Sequence, residues 1–220
     1  RRIPSLTARL IAKGGRPSAD ERHRMSYSFR FGQPDDIPAV RDFVMDAGAG
    51  LFEFLLDRAL PGVSARHLVK LAVADPSSPL SYNNAMVAED AGGHLAGIAL
   101  CYPAHDYGLQ PIVKSIVSKA RRQALSAMLS ERIDGTLYLN TLATASWARG
   151  EGLGGTLLDL AIEWAADQGF AGLSLHVWED NTHAMEMYAS RGFQEVMRFP
   201  SPEAEVFRHL GPIQIGRAHV

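Results

Sequence analysis

The sequence predicts an α/β (α+β) domain: a mixed central β-sheet flanked by helices. Three observations carry this. Two apolar runs flank Asp90, Ala91, Gly92 and Gly93, which is a hairpin signal and implies antiparallel neighbours. Later, strand-like and helix-like runs alternate, as in β-α-β units. Between the halves, a glycine-dense run (Arg149, Gly150, Glu151, Gly152, Leu153, Gly154, Gly155, Thr156) joins a strand to a helix. Antiparallel pairing early and crossover connections late give a mixed sheet.

In order, 28–31 has the aromatic alternation of a strand, and Pro34, Asp35 and Asp36 are turn and N-cap residues. Ile37, Val40, Phe43, Val44 and Ala47 then recur at helical spacing. Gly48 and Gly50 interrupt this helix, 51–60 reads as a second that Pro61 and Gly62 stop, and 65–74 as a third ending before Pro76. The hairpin strands are 85–89 and 94–102. Pro111 starts a helix through Ile112, Ile116, Ala120 and Leu125, with Lys114, Lys119, Arg121 and Arg122 as its solvated face. A strand at 137–143 precedes the glycines. The helix after them carries Leu153, Leu157, Leu160, Ala161 and Trp164 on one face and stops at Gly169. A strand at 171–177 follows, then a helix capped by Asp180 or Asn181 and ended by Gly192, then a strand at 193–199.

The 220 residues, 46% of them apolar, suffice for one domain with appendages. A net charge of −2 supplies no field for nucleic acid. The single cysteine, Cys101, forms no internal disulfide and fits a reducing compartment, and no apolar run is long enough for a bilayer. A cytoplasmic protein with no nucleic-acid or membrane partner is expected.

Residues 1–24 are set apart as a basic extension, disordered or not native: Arg1, Arg2, Arg9, Lys13, Arg16, Arg22 and Arg24 face only Asp20 and Glu21. Translated upstream sequence, a natural extension and a targeting peptide are its three readings, and Met25 opens more ordinary sequence. Residues 215–220 (Ile215, Gly216, Arg217, Ala218, His219, Val220) match one reading frame of a common sequencing-library adapter and are expected to be a non-native tail. The single domain is expected over 25–214.

Bare amides at a helix N-terminus, with its positive dipole end and Arg149 nearby, form a site for phosphate or pyrophosphate. A P-loop is excluded because no lysine separates Gly155 from Thr156. Gly150, Gly152 and Gly155 satisfy a dinucleotide fingerprint, with Glu179 and Asp180 as the acidic pair, yet six residues intervene between strand and first glycine. A third pattern, Gln/Arg-x-x-Gly-x-Gly/Ala, is met by Arg149, Gly152 and Gly154.

At these residues the chain resembles the GNAT family of acetyl-CoA-dependent N-acetyltransferases. The stretch LNTLATASWARGEGLGGTLL is similar to the family's strand, loop and helix. LSLHVWEDNTHAMEMYASRGFQEV is similar to the next strand and helix, with Leu173, Leu175, Val177 and Asn181 in the expected spacing. The first helix and the hairpin also match, so the resemblance covers roughly 29–199. It implies the GNAT acyl-CoA acyltransferase fold and an acyltransferase that moves the acetyl group of acetyl-CoA directly to the primary amine of a small molecule or peptide.

The resemblance further implies that the amides of Arg149, Gly150, Gly152, Leu153, Gly154 and Gly155 hold the pyrophosphate, with a hydroxyl from Thr156. Leu142, Ala143 and Thr144 lie beside the pantetheine arm, one N–H facing the thioester oxygen. Asn181 and Tyr188, two turns apart, flank the same groove, with the Tyr188 hydroxyl as the catalytic group at the departing thiolate. A phenol near 10 is less acidic than a thiol near 8.5, so full proton transfer is uphill by about 2 kcal/mol, and Tyr188 is expected to act mainly by hydrogen bonding.

Many relatives carry a carboxylate on the strand before the glycines; this chain offers Tyr138, Asn140 and Thr141. A water relay, Glu53, or uptake of neutral amine remain open for the base. Asn140, Phe52, Phe54 and Tyr82 are candidate pocket residues. No metal site is read from the histidines, and His176 is expected on the sheet face opposite Leu175 and Val177. A monomer or homodimer is expected. The alternatives are a non-catalytic acyl-CoA-binding regulatory module of the same fold and, more distantly, a nucleotide-binding oxidoreductase.

Overall fold

The computed structural model describes residues 27–200, 202, 207 and 213–219. The basic extension expected over 1–24 lies outside the described residues. The elements run β1 (Tyr27–Phe31), α1 (Ile37–Ala47), α2 (Leu51–Leu56), α3 (Ala65–Ala74), β2 (Ala85–Asp90), β3 (Leu95–Pro103), α4 (Pro111–Ile116), α5 (Lys119–Ala124), α6 (Ser126–Ser130), β4 (Leu137–Thr144), α7 (Leu153–Asp167), β5 (Gly172–Trp178), α8 (Thr182–Ala189), β6 (Gln194–Phe199) and β7 (Ile213–His219).

The strands form one seven-stranded sheet in the order β1-β2-β3-β4-β5-β7-β6. Every neighbouring pair is antiparallel except β4 and β5, so the sheet is mixed, as the sequence predicts. The domain end expected at Gln214 falls inside β7, which pairs with β5 from Ile213↔Trp178 to His219↔Gly172.

Alternation along the central strands sends apolar side chains to both faces. On one face Val87, Ile98 and Leu100 meet Val40 and Val44 of α1 and Val69 and Val73 of α3, all buried. On the other, Ala88, Ala99, Leu139, Leu173 and Leu175 lie under Leu157, Leu158, Ala161 and Ala165 of α7. Small alanines on the strands allow the leucines of α7 to pack close, and each leucine so buried contributes about 2 kcal/mol. Arg30 on β1 ties the edge together, pairing with Asp36 at 2.5 Å and with Glu89 of β2 at 2.6 Å.

Two helices differ from the sequence expectation. The second ends at Leu56, not near residue 60, because Asp57 is extended and Arg58 takes a positive φ of 60°. The stretch from Pro111 through Leu125 is not one helix: Val117 is extended, and the Ser118 hydroxyl accepts from the Arg121 N–H at 3.3 Å and starts a new one. A serine able to cap offers the backbone an alternative to continuing the helix. Arg121 also leaves the expected solvated face. Its guanidinium donates to the carbonyls of Leu55 at 3.1 Å and Asp57 at 2.7 Å, tying α5 to the end of α2.

Candidate active site

The site begins with a split in the sheet. β4 pairs with β3 along its whole length but with β5 only from Leu137↔Leu173 to Leu139↔Leu175. Beyond that point the two parallel strands part. A register shift pairs Leu139 with Cys101 and Thr141 with Leu100, so Asn140 is the extra residue of a β-bulge. The Ala145 N–H donates to the Ala96 carbonyl at 2.8 Å. By strand alternation Ala143 and Thr141 also turn their backbone to β3, leaving the N–H groups of Leu142 and Thr144 toward the split. Of the three residues expected along the donor arm, Leu142 and Thr144 thus present free backbone, whereas that of Ala143 is engaged by β3.

At the open end of the split lies the glycine turn. Gly150 and Gly152 have φ of +80° and +76°, a left-handed conformation that other residues adopt only with strain. Thr156 N–H is the first amide of α7 closed by its own helix, bonding to the Gly152 carbonyl at 3.1 Å. The N–H groups of Gly150, Gly152, Leu153, Gly154 and Gly155 have no backbone partner among the described residues. A Cβ added to Gly150 or Gly152 would meet nothing within 4 Å, and at Gly154 the first neighbour is Met187 Sδ at 3.8 Å. The Cα side of Gly150 and Gly152 is thus open, at the positive end of a 15-residue helix.

Gly155 differs: the Arg191 guanidinium lies against it, held by Asp159 at 2.5 Å. Arg149 is exposed beside the turn. The Thr156 hydroxyl donates to the Gly152 carbonyl at 3.4 Å, so its own helix holds that proton. The Tyr27 hydroxyl donates to Glu151 at 2.5 Å, anchoring the turn to β1. That bond is the main reason the Tyr27 pKa is pushed up to about 12.

After β5, Asn181 caps α8, its Oδ1 accepting from the Ala184 N–H at 3.3 Å. Tyr188, two turns on, is half-buried with its ring 5.5 Å from that of Phe193. Burial pushes its pKa up to about 12, and its hydroxyl has no hydrogen-bond partner among the described residues. The Tyr138 pKa is raised well above the ordinary value by burial first, then by nearby tyrosines that include Tyr188.

The opposite face of the sheet opens into a cavity of about 830 Å³ between α1, α2, α3, α4 and the ends of β3, β4 and β5. One wall is polar. Asn140 Nδ2 donates to the Tyr102 hydroxyl at 3.1 Å, and Thr141 Oγ1 donates to Asn140 Oδ1 at 2.9 Å. His176 Nδ1 lies 2.9 Å from the Tyr138 hydroxyl, and the Tyr107 ring stacks on the imidazole at 4.9 Å. Burial lowers the His176 pKa to about 4, opposed by the Glu131 carbonyl, so the ring is neutral at pH 7.

Phe52 and Asn140 line the cavity as expected, but Phe54 packs on Phe207 at 5.2 Å, and neither Tyr82 nor the exposed Glu53 lines it. His176 takes the face opposite Leu175 and Val177. Of the polar wall, only Asn140 was expected from the sequence; its tyrosines and histidine were missed. Its signal was a set of polar aromatic residues, Tyr102, Tyr138 and His176, interrupting apolar strands at positions that share one face. Among the described residues no group of three or more His, Cys, Asp or Glu could hold a metal, and no helix is long and apolar enough to cross a membrane.

The model of the acetyltransferase (GNAT) family matches residues 72–193. The mycothiol acetyltransferase of Jonesia denitrificans is 31% identical over 98 residues, 43% of this chain and 31% of that protein, so the chain matches about a third of that relative's length. Among solved structures, an acetyltransferase superposes with a TM-score of 0.60 at 25% identity, over 88% of this chain and 99% of its own. An N-acetyltransferase from Staphylococcus aureus Mu50 superposes with a TM-score of 0.64 at 17% identity, over 87% and 100%. With the split sheet, the glycine turn and a family match across more than half its length, this chain belongs to the GNAT acetyltransferase family.

Proposed function

We propose that the protein is an N-acetyltransferase that moves the acetyl group of acetyl-CoA directly to the nitrogen of a primary amine. One observation supports the reading: the open amides of Gly150, Gly152, Leu153 and Gly154 follow β4 at the end where it parts from β5, and the Leu142 N–H is turned away from β3 toward that gap. The absence of side chains at these glycines would let a pyrophosphate come close to the backbone, and the helix dipole favours its charge.

Acetyl-CoA, as the donor substrate, supplies a thioester whose carbonyl carbon accepts the amine. In the balance of the reaction an N–C bond replaces a C–S bond, and one proton of the amine ends on sulfur. The Leu142 N–H, fixed by the strand, is suited to the negative charge that develops on the carbonyl oxygen; one such donor is worth about 10²–10³ in rate. Tyr188 assists the sulfur. With its pKa near 12, complete transfer of the phenol proton to a thiolate near 8.5 would be uphill by about 5 kcal/mol. The hydroxyl therefore acts as a hydrogen-bond donor, and the proton that completes the thiol comes from the amine or water.

Release of free thiol from acetyl-CoA in the presence of a primary amine, with one acetylated amine formed per thiol, tests the reading. Binding of acetyl-CoA without turnover on any amine would instead indicate a regulatory module of this fold.

A further inference from the structure

We propose that the acceptor is a monoamine with an apolar body, seated in the cavity between α1, α2, α3 and α4 with its nitrogen at the wall of Tyr102, Tyr138, Asn140 and His176. This rests on the amine-acetylation reading and names the class of amine. The cavity lining contains, among the described residues, no lysine or arginine and a single carboxylate, Asp75. Asp75 Oδ1 already accepts from the N–H and the hydroxyl of Ser77, both at 2.8 Å, at the exposed end of α3. A second ammonium on the acceptor would therefore find no buried partner, and neither would a carboxylate or a phosphate. Unpaired charges are costly to bury.

The rest of the lining is the converse. Leu51, Leu55, Leu68, Val113 and Ile116 supply apolar walls. Leu71 and Ile112, 54% and 75% exposed, also line the cavity and are two of the five large exposed hydrophobics among the described residues. Apolar surface thus runs from the mouth inward, and a cavity of this size admits a drug-sized body. Apart from Asp75, Ser77 and Ser78 after α3 and Gln110 before α4, the polar side chains of the lining gather at the strand ends. There, phenol oxygens accept hydrogen bonds and the faces of tyrosine rings attract a cationic nitrogen. That wall borders the split through Tyr138, in the last paired stretch of β4 and β5, and Asn140, the bulge residue just beyond it.

Two matched pairs test this, each differing by one charge: hexylamine against 1,6-diaminohexane, and 3-methylbutylamine against L-leucine. The expected kcat/KM, read by thiol release from acetyl-CoA, is at least about tenfold higher for the monoamine of each pair, the ratio for one uncompensated charge. Equal or better use of the diamine or the amino acid overturns the proposal. Binding is read separately from turnover, as thermal stabilisation by each amine without acetyl-CoA. Stabilisation by hexylamine and not by the diamine supports the assignment even if no amine is acetylated, an outcome that overturns the transfer reading instead; equal stabilisation overturns the assignment. Ala47→Trp, at an exposed position of the cavity lining, should weaken hexylamine binding about fivefold or more by filling the site. Unchanged binding in that variant places the amine elsewhere.

Discussion

His176 Nδ1 and the Tyr138 hydroxyl, 2.9 Å apart, join β5 to β4 at the point where the two strands part. The register explains the meeting. Tyr138 pairs with Ser174, so His176 stands two residues further along β5 on the same face. His176 Nε2 has no hydrogen-bond partner among the described residues, although the Glu131 carbonyl is near enough to oppose the fall of its pKa. A neutral imidazole is therefore built into the floor of the cavity.

The first prediction follows from that burial. The ring's pKa is near 4 folded against 6.5 unfolded. Between those values the unfolded chain binds a proton that the folded one does not, so stability falls as pH drops from about 6.5 to 4. With water entering the open cavity, the loss is about 2 kcal/mol rather than the full shift. Urea unfolding at pH 7 and pH 5 should show a smaller difference in His176→Gln than in the wild type; an unchanged difference would mean another group titrates.

Tyr188→Phe removes a hydroxyl that no described residue needs. The fold should keep its Tm, the KM for acetyl-CoA should stay within about twofold, and kcat should drop by about 10–10². Steady-state kinetics with a fixed amine decide the matter. Wild-type kcat in the variant leaves the phenol without a catalytic role.

Gly154→Ala separates stability from binding. The position is helical, and an added Cβ stays 3.8 Å or more from other atoms, so the Tm should hold or rise, by up to about 1 kcal/mol in stability. The methyl group would nonetheless stand before the open amides, and the KM for acetyl-CoA should rise about tenfold or more. An unaltered KM would move the pyrophosphate away from this turn.

Leu157→Ala tests the helix that carries the turn. Leu157 is fully buried on α7 against the sheet. Its truncation should cost about 3 kcal/mol through lost burial and a cavity. Chemical denaturation reads that value directly, and a cost under about 1 kcal/mol would contradict close packing of α7.

The two halves of the site were unequally legible in the sequence. The donor side was written locally. Glycines between a strand and a helix, and Asn181 seven residues before Tyr188, are short-range patterns, and the structure has the glycine turn opening α7 and Asn181 capping α8. Even there, the backbone direction of Ala143 was fixed only by pairing with β3. The acceptor side comes from long-range packing. Tyr102, Tyr138 and His176 lie on three strands, and no spacing in the chain announces that they meet. Glu53 illustrates the limit: as a carboxylate on an early helix it was a plausible base, yet the rotation of α2 leaves it exposed and outside the cavity lining.

The most direct test of the account is one reaction: purified protein, acetyl-CoA and 3-methylbutylamine, followed by thiol titration and mass spectrometry of the amine. The account predicts thiol and N-acetylated amine in equal amounts, both reduced together by Tyr188→Phe. Thiol released without acetylated amine, or no turnover with any primary amine despite bound acetyl-CoA, would contradict it.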